Sequence, residues 1–227
     1  MQKYQNFENW NEIMAQKYNP DHHLYNPNFV IRLMENQRLK EIIKMLEAQT
    51  KDKIIELGCG TGNIILKIKS NNIVGIDLSE FMLNIAKEKL SNKKGVKLIK
   101  GNIEYLPKEI TDNTYDKVVC SEIIEHIENP QKMINEILKI TTQKSDIIFS
   151  IPNEALINKI KSYFIKLNLF NKLFPKIPQR MDHEWHLHFF SLKKLTSLVE
   201  DKFKIIKIVK IPFAFLPLGY VIKLKKK

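Results

Sequence analysis

Three glycines and two acidic residues in the first half of the chain have the types and spacing of a cofactor site. Gly58, Gly60 and Gly62 follow a short apolar run, and Asp77 ends a second apolar run about twenty residues later. Such glycines let a ligand lie against the main chain, and an acid at the tip of the next strand accepts ribose hydroxyls. The spacing Gly-x-Gly-x-Gly is one residue shorter than the dinucleotide fingerprint. Glu56, two residues before the first glycine, disfavours a pyrophosphate and favours a cationic ligand.

A second group of side chains has the chemistry to bind a metal ion or to move a proton. Glu122, Glu125 and His126 are spaced at i, i+3 and i+4, so on a helical turn they share one face. Two carboxylates and an imidazole suit Mg²⁺, Mn²⁺ or Zn²⁺, and the segment 183–188 offers a fourth ligand, with His183 as the candidate. Without a metal, His126 or a later histidine would be the general base. His126 and Glu125 are therefore the candidate catalytic residues.

Alternating strands and helices must place both groups at one edge of a sheet. Apolar runs predict strands at 53–58, 72–77, 96–101, 115–121 and 146–151, with helices at 62–69, 80–90 and 130–141. Helices at 8–20 and 29–46 precede this pattern, and a helix near 191–200 and strands at 203–211 and 218–225 follow it. We expect an α/β fold: a doubly wound, Rossmann-like, seven-stranded, mostly parallel sheet with a terminal antiparallel hairpin.

We expect the whole chain, 1–227, to form a single domain, because its length suits one α/β unit with additions. Four parts are predicted within it: an N-terminal helical extension (1–50), a cofactor-binding core (51–151), a helical insertion or lid (152–190) and a C-terminal helix with strands (191–227).

Charge is distributed unevenly along the chain. The net charge is +12, but residues 1–154 contain 21 basic and 21 acidic residues, whereas residues 155–227 contain 16 basic and 4 acidic ones. A polyanionic surface, either anionic lipid or nucleic acid, is therefore a predicted partner of the C-terminal third. Two cysteines outside any CxxC motif, no apolar leader and no run of eighteen apolar residues predict a cytoplasmic protein.

Residues 155–178 contain no acidic residue and combine apolar residues with lysines. Seven apolar residues are expected to form one stripe at helical spacing: Leu156, Ile160, Tyr163, Phe164, Leu167, Phe170 and Phe174. This composition is typical of a helix that lies at an anionic membrane surface. The alternative is an amphipathic helix that covers the active site, and a lid that opens against a bilayer would combine both roles.

The segments 53–62 and 73–77 resemble motifs I and II of class I S-adenosylmethionine-dependent methyltransferases, within a resemblance that covers roughly 29–151. Gly101-Asn102 resembles the third motif, with Asn102 where an acid usually meets the adenine amino group. The resemblance implies S-adenosylmethionine as cofactor, with its methionine part over the glycines, its ribose at Asp77 and its adenine near Met82. It implies this cofactor-binding set: Glu56, Gly58, Cys59, Gly60, Gly62, Asp77, Leu78, Met82, Asn102, Ile103 and Ser121.

The Glu-x-x-Glu-His pattern resembles two methyltransferase groups. In the ubiquinone-biosynthesis O-methyltransferases a later segment commonly reads His-Asp-Trp, matched here by His183-Glu184-Trp185. That resemblance implies O-methylation of a small, hydrophobic, hydroxylated acceptor, quinol- or lipid-like, with metal assistance and a membrane-associated insertion as further possibilities. The small-RNA 3′-end 2′-O-methyltransferases hold a metal with two Glu and two His, which implies RNA as the alternative acceptor. A Glu–His pair also occurs in metal-free methyltransferases, and a non-catalytic cofactor-binding scaffold is the remaining alternative.

Overall fold

The computed structural model describes residues 6–19, 21, 28–174 and 184–227, which contain a seven-stranded sheet with helices on both faces. The strands are β1 (Ile54–Leu57), β2 (Ile73–Asp77), β3 (Val96–Lys100), β4 (Tyr115–Ser121), β5 (Thr141–Pro152), β6 (Phe203–Phe213) and β7 (Leu216–Lys226). The described helices are α1 (Phe7–Lys17), α2 (Phe29–Leu46), α3 (Asn63–Lys67), α4 (Glu80–Lys89), α5 (Lys108–Thr111), α6 (Pro130–Lys139), α7 (Glu154–Lys166), α8 (Phe170–Leu173) and α9 (Leu192–Val199).

The strand order is β3-β2-β1-β4-β5-β7-β6. Strands β1 to β5 are parallel, and β7 runs antiparallel to both of its neighbours, β5 and β6. The predicted doubly wound sheet with a terminal antiparallel hairpin is therefore confirmed. The order reverses between β1 and β4, and open α/β sheets bind their ligands at the carboxyl ends of strands at such a point.

Consecutive residues of the central strands pack on opposite faces of the sheet. In β1, Ile54 belongs to the core beneath α2, α3 and α4, whereas Ile55 belongs to the core beneath α6 and α9. Both side chains are completely buried. Burial of apolar residues on both faces is the pattern expected of a parallel strand covered by helices. This burial holds β1 in place and so positions the turn that follows it.

Polar side chains cap the helices that follow β2 and β4. Ser79 Oγ accepts the Met82 N–H at 3.2 Å at the start of α4. Asn129 Oδ1 accepts the Lys132 N–H at 3.2 Å at the start of α6, and Pro130 occupies the first turn. These caps fix the helix ends of the loops 78–79 and 122–129, which carry predicted site residues.

Several element boundaries differ from the prediction, most of them by one or two residues, and three differences are larger. Helix α1 ends at Lys17, and β5 begins at Thr141, five residues before the expected start. The insertion does not form one helix, because α7 ends at Lys166 and Asn168 has a left-handed φ of 54° before α8 begins. The predicted apolar stripe is split as a result: Tyr163 and Leu167 are 63% and 48% exposed, whereas Phe170 is buried. Residues 175–178 lie outside the described residues.

No helix in the described part of the chain combines the length and the apolar content needed to cross a bilayer. Both cysteines, Cys59 and Cys120, are buried free thiols, and burial raises the pKa of each well above its usual value. Burial therefore keeps both thiols protonated and unreactive.

Candidate active site

The backbone of the turn after β1 lies against the carboxyl end of β2. Gly58 and Gly60 have φ of 73° and 49°, in the left-handed region that favours glycine. A Cβ added at Gly58 would lie 2.4 Å from Ile123 Cγ1, so a side chain does not fit there. The Gly60 N–H donates to Asp77 Oδ2 at 2.8 Å, and the Ser79 N–H donates to Asp77 Oδ1 at 2.9 Å. The Asp77 carboxylate thus fixes the turn against the start of α4 and still has lone pairs for further donors.

Glu56 lies near the end of β1 with 2% of its surface exposed. Its Oε2 atom has no hydrogen-bond partner among the described residues. Burial and the nearby Asp77 carboxylate raise the pKa of Glu56 well above its usual value. A buried carboxyl with an unmet hydrogen bond destabilises the fold, so Glu56 has the properties of a group kept for a ligand.

A cavity of about 570 Å³ joins this turn to α7 and the β6–β7 hairpin. Ten of the eleven predicted cofactor-binding residues line it: Glu56, Gly58, Cys59, Gly60, Asp77, Leu78, Met82, Asn102, Ile103 and Ser121. Gly62 is the exception. It caps α3 with a φ of 77°, and a Cβ there would lie 2.8 Å from Leu90 Cδ1. Gly62 therefore serves the packing of α3 against α4 and not the wall of the cavity.

The loop after β3 is tied to the loop after β4. Asn102 Oδ1 accepts the Glu104 N–H at 2.8 Å, so the oxygen that we expected to meet an adenine amino group also stabilises a turn. Glu104 is buried, and its carboxylate oxygens accept the N–H groups of Glu128 and Asn129 at 2.8 and 2.9 Å. The sequence analysis did not single out Glu104, whose partners lie on another loop.

The residues after β4 form an irregular loop and not the predicted helical turn. Glu122 has a left-handed φ of 49°, which prevents a helix from starting there. Its Oε1 accepts the Ser150 hydroxyl at 2.9 Å, and its Oε2 lies 3.2 Å from Arg38 Nη1. Glu122 therefore faces α2 and β5. The prediction that Glu122, Glu125 and His126 share one helical face is wrong.

The structure brings together Glu125, His126 and His186 instead. Their ligand atoms all lie within 4.8 Å of one another. His126 Nδ1 lies 3.4 Å from the Trp185 carbonyl oxygen, and His186 Nδ1 lies 2.5 Å from Glu154 Oε1. A carbonyl or carboxylate on one ring nitrogen fixes the orientation of an imidazole and sets the tautomer.

The predicted metal ligands are thus only partly assembled in the described residues. Glu125 and His126 lie together, Glu122 lies outside their group because it faces α2, and His183 lies outside the described residues. His186, from the same predicted segment as His183, takes the third position. One carboxylate and two imidazoles remain an oxygen- and nitrogen-donor set that suits a divalent cation.

Burial sets the protonation of this group. Burial and the neighbouring Glu122 raise the pKa of Glu125 to about 8, so its side chain is mostly protonated at neutral pH. Burial, with His186 beside it, lowers the pKa of His126 well below its usual value, so the imidazole is neutral. Because Nδ1 faces the Trp185 carbonyl, it carries the proton, and Nε2 carries the lone pair that can accept one.

The cavity wall also contains residues that were not predicted as site residues. Among them are Tyr18 at the end of α1, Arg38 on α2 and Glu154, the first residue of α7 in the predicted lid. The local sequence gives little sign of them, because each has a partner that is distant in sequence. One feature of the local sequence could have indicated such a residue, namely a charged side chain next to a buried apolar position, as with Arg38 beside Leu39.

Comparison with known proteins agrees with this geometry. Residues 48–204, more than half of the chain, match the methyltransferase-domain family. The chain belongs to that family. As the sequence resemblance implied, its family and its fold are those of class I S-adenosylmethionine-dependent methyltransferases.

Two relatives and one solved structure illustrate how far the similarity extends. This methyltransferase is 33% identical over 159 residues, 66% of its chain, to an uncharacterized protein of Methanocaldococcus jannaschii. It is 27% identical over 156 residues, 64% of its chain, to the demethylmenaquinone methyltransferase of Staphylococcus aureus. It spans 63% of the length of both relatives. The magnesium protoporphyrin IX methyltransferase of Synechocystis PCC 6803, solved with bound S-adenosylmethionine, has a TM-score of 0.70 at 14% identity, with both chains covered completely.

Replacing Glu56 by glutamine should weaken the binding of S-adenosylhomocysteine to the methyltransferase. A hydrogen bond to a charged group contributes about 1.5–3 kcal/mol, so we expect a loss of affinity of about 10-fold or more. Isothermal titration calorimetry measures the change. Glu136→Gln is the matched control, because Glu136 is also buried with an unpartnered Oε2 in the described structure but lies on α6, outside the cavity. Equal affinities of the wild type and the Glu56→Gln variant would contradict the assignment.

The raised pKa of Glu125 predicts how stability depends on pH. Between pH 4.5 and about 8 the folded protein keeps a proton on Glu125 that the unfolded chain releases, so the free energy of unfolding falls as the pH rises. Glu125→Gln removes this effect. In urea unfolding, the stability of the variant relative to the wild type should therefore increase from about pH 5 to about pH 8. A constant difference over that range would show that Glu125 titrates normally.

Proposed function

We propose that this methyltransferase transfers a methyl group to a hydroxyl of a small, hydrophobic acceptor of the quinol or lipid type. The observation that supports the proposal best is the mixed lining of the cavity. Its wall includes the ionisable side chains of Glu122, Glu125 and His126. It also includes apolar side chains of α7, α8, the residue after α8 and the β6–β7 hairpin: Ile157, Ile160, Phe164, Phe170, Phe174, Leu216 and Leu218. An acceptor with a polar head and an apolar tail matches a wall that contains both kinds of side chain.

The residues around the glycine turn would hold the cofactor. Glu56 would pair with the amino group of S-adenosylmethionine, Asp77 would accept the ribose hydroxyls, and Met82 and Ile103 would pack against the adenine. When bound, the cofactor supplies a reactive methyl group on a sulfonium that leaves readily. The tasks left to the protein are therefore alignment of the acceptor and removal of its proton.

His126 is the residue that we assign to proton removal. A phenol has a pKa of about 10 and is a poor nucleophile at neutral pH, so a base must act as the methyl group is transferred. His126 lines the cavity as a neutral imidazole with Nε2 as the proton acceptor. Glu125 beside it is mostly protonated, since its pKa is about 8, and can donate a hydrogen bond to a second oxygen of the acceptor.

Three buried polar atoms in the cavity wall support an acceptor head with several oxygens. Arg38 Nε, Glu125 Oε2 and Trp185 Nε1 have no hydrogen-bond partner among the described residues, and all three residues line the cavity. An unpaired buried polar atom costs about 1–3 kcal/mol, so three in one cavity indicate a ligand that pairs with them. A hydroxylated quinol ring offers oxygen acceptors and hydroxyl donors for this purpose.

A divalent cation is a further element of the proposal. Glu125, His126 and His186 would hold it, and it would lower the pKa of the acceptor hydroxyl. The contacts of Trp185 and Glu154 with the two imidazoles fit a metal-binding role. The protonated state of Glu125 fits a metal-free site, in which His126 alone removes the proton.

The cavity wall favours a small acceptor over RNA. Arg38 and Lys161 are the cationic side chains, other than histidines, among its described lining residues. Arg38 is already paired with Glu35 and Glu122. An RNA strand needs a basic groove that follows its phosphates and surfaces that stack its bases.

The exposed part of the insertion supports contact with an anionic membrane surface. Its apolar residues with more than a third of their surface exposed are Tyr163, Ile165, Leu167, Leu169 and Leu173. Exposed lysines at 159, 166 and 172 lie among them. Exposed aliphatic and aromatic side chains with lysines are typical of a surface that lies on anionic lipid. We therefore propose that the acceptor enters the cavity from the bilayer.

In an assay with S-adenosylmethionine and a catechol that carries a farnesyl chain, the wild-type protein should methylate a ring hydroxyl. His126→Gln should lower kcat by about 10²–10⁴-fold, because general-base catalysis contributes this much. Transfer of a radiolabelled methyl group measures the rate. The same variant should bind S-adenosylhomocysteine as tightly as the wild type does.

A control variant, chelation of metal ions and an alternative substrate distinguish the possible outcomes of this experiment. His188→Gln should keep its activity, because His188 bonds the Glu128 carbonyl at 3.0 Å and does not line the cavity. Loss of activity on chelation, restored by Mg²⁺, would assign proton removal to a metal-assisted site, and unchanged activity would assign it to His126 alone. Methylation of a short RNA, and of neither the farnesylated catechol nor plain catechol, would contradict the proposal.

The membrane proposal predicts that the protein floats with vesicles that contain phosphatidylglycerol and does not float with pure phosphatidylcholine. Changing Lys159, Lys166 and Lys172 to glutamate should abolish flotation, because each basic residue near an anionic surface contributes about 1 kcal/mol.

A second triple variant has the same change in net charge but lies elsewhere, with Lys87, Lys94 and Lys144 changed to glutamate. These lysines are exposed on α4, in the turn after α4 and near the start of β5. This variant should still float. If both triple variants lose flotation equally, net charge and not the insertion controls the binding.

A further inference from the structure

Glu184 and Trp185 connect α1 to His126. Glu184 accepts hydrogen bonds from the Lys17 ammonium at 2.5 Å and from the Tyr18 hydroxyl. The Trp185 indole stacks on the Tyr18 ring with centroids 5.9 Å apart and planes inclined by 21°. The same indole lies 4.4 Å from the His126 ring. The rings of Tyr18 and Trp185 therefore connect the end of α1 to the His126 imidazole.

Trp185 also contacts His126 through its backbone. Its carbonyl oxygen lies 3.4 Å from His126 Nδ1, a long hydrogen bond whose geometry depends on where the Trp185 backbone is held. The next two N–H groups, of Leu187 and His188, donate to the Glu125 carbonyl at 2.8 and 3.2 Å. This segment and the loop after β4 therefore fix each other, and the indole completes the contact.

Helix α1 covers the cavity with little buried surface of its own. Phe7, Asn11, Ala15 and Tyr18 line the cavity, and of these Ala15 and Tyr18 are buried. Elements with few buried contacts open more readily than the strands and helices of the core. Helix α1 is therefore an element whose docking can change while the core stays folded.

Two further attachments of α1 are polar. Glu8 forms an ion pair with Lys100 at 2.9 Å, in which both side chains are about half exposed, and Glu12 Oε1 accepts the Phe81 N–H at 2.9 Å. Exposed ion pairs contribute little to stability and are screened by salt. The stacking of Tyr18 on Trp185 is thus the contact through which docking of α1 reaches the catalytic group.

We propose that Trp185 is a positioning residue, which holds the ring of His126 in the orientation that directs Nε2 into the cavity, and which does so when α1 is docked. The inference rests on the proposed function only for the role of His126 as the base. The contact between α1 and Trp185 and its effect on the imidazole are measurable without any acceptor.

Fluorescence reports the first step, because the chain contains two tryptophans. Trp10→Phe leaves Trp185 as the single emitter and keeps a ring beside Phe7, which lies 5.6 Å from that of Trp10. In this background, with saturating S-adenosylhomocysteine, Tyr18→Ala should increase acrylamide quenching of Trp185 by about two-fold, because the docked helix no longer covers the indole. Tyr105→Ala, at a tyrosine that is 60% exposed, should leave the quenching unchanged.

Nuclear magnetic resonance reports the second step. In protein labelled with [¹⁵N]histidine, His126 Nε2 should show the chemical shift of an unprotonated ring nitrogen, assigned by its loss in His126→Gln. Trp185→Ala and Tyr18→Ala should both move this signal toward the average of the two tautomers. Trp185→Phe and Tyr18→Phe retain a stacking ring and should preserve the wild-type signal.

The outcomes separate this inference from the proposed function. Unchanged quenching in Tyr18→Ala, or an unchanged His126 signal in Trp185→Ala, overturns the positioning role whatever the activity of His126→Gln. If His126→Gln keeps its full kcat while both spectroscopic changes occur, the assignment of the base is wrong and the positioning of His126 by Trp185 stands.

Discussion

The Asp77 carboxylate makes the hydrogen bonds on which the rest of the site depends. It accepts the Gly60 N–H at 2.8 Å and the Ser79 N–H at 2.9 Å, so it joins the turn after β1 to the first turn of α4. These two elements meet because β1 and β2 are neighbouring parallel strands that end at the same edge of the sheet. One side chain therefore holds the glycine turn against the start of α4, and residues of both line the cavity.

The cavity collects carboxyl groups that the fold does not fully satisfy. Burial raises the pKa of Glu56, Asp77 and Glu125, and Oε2 of Glu56 and of Glu125 lacks a partner among the described residues. Each such group lowers stability, so their concentration in one cavity indicates ligands that satisfy them. Arg38 pairs with Glu122 and so offsets part of the negative charge on the cavity wall.

The features that were predictable from the sequence depend on neighbouring residues. The alternation of apolar runs predicts the order of strands and helices, and the glycine spacing predicts the turn after β1. Ten of the eleven predicted cofactor-binding residues accordingly line the cavity. The second group was predicted less well because its partners are remote: Arg38 of α2 binds Glu122, and His186 joins His126. In the insertion, a left-handed φ at Asn168 ends the helix although the apolar periodicity continues. Periodicity carries no information about such a break, nor about which charged residues meet across the sheet.

Proton release on cofactor binding tests the central claim most directly, namely that Glu56 is a buried carboxyl kept for the amino group of S-adenosylmethionine. Its raised pKa keeps Glu56 protonated to higher pH in the free protein, and pairing with an ammonium group favours the ionised form. Calorimetric titrations in two buffers with different ionisation enthalpies, at slightly acidic pH, measure the protons exchanged. We expect a net release of protons that is reduced in the Glu56→Gln variant. No release, or the same release in both proteins, would contradict it.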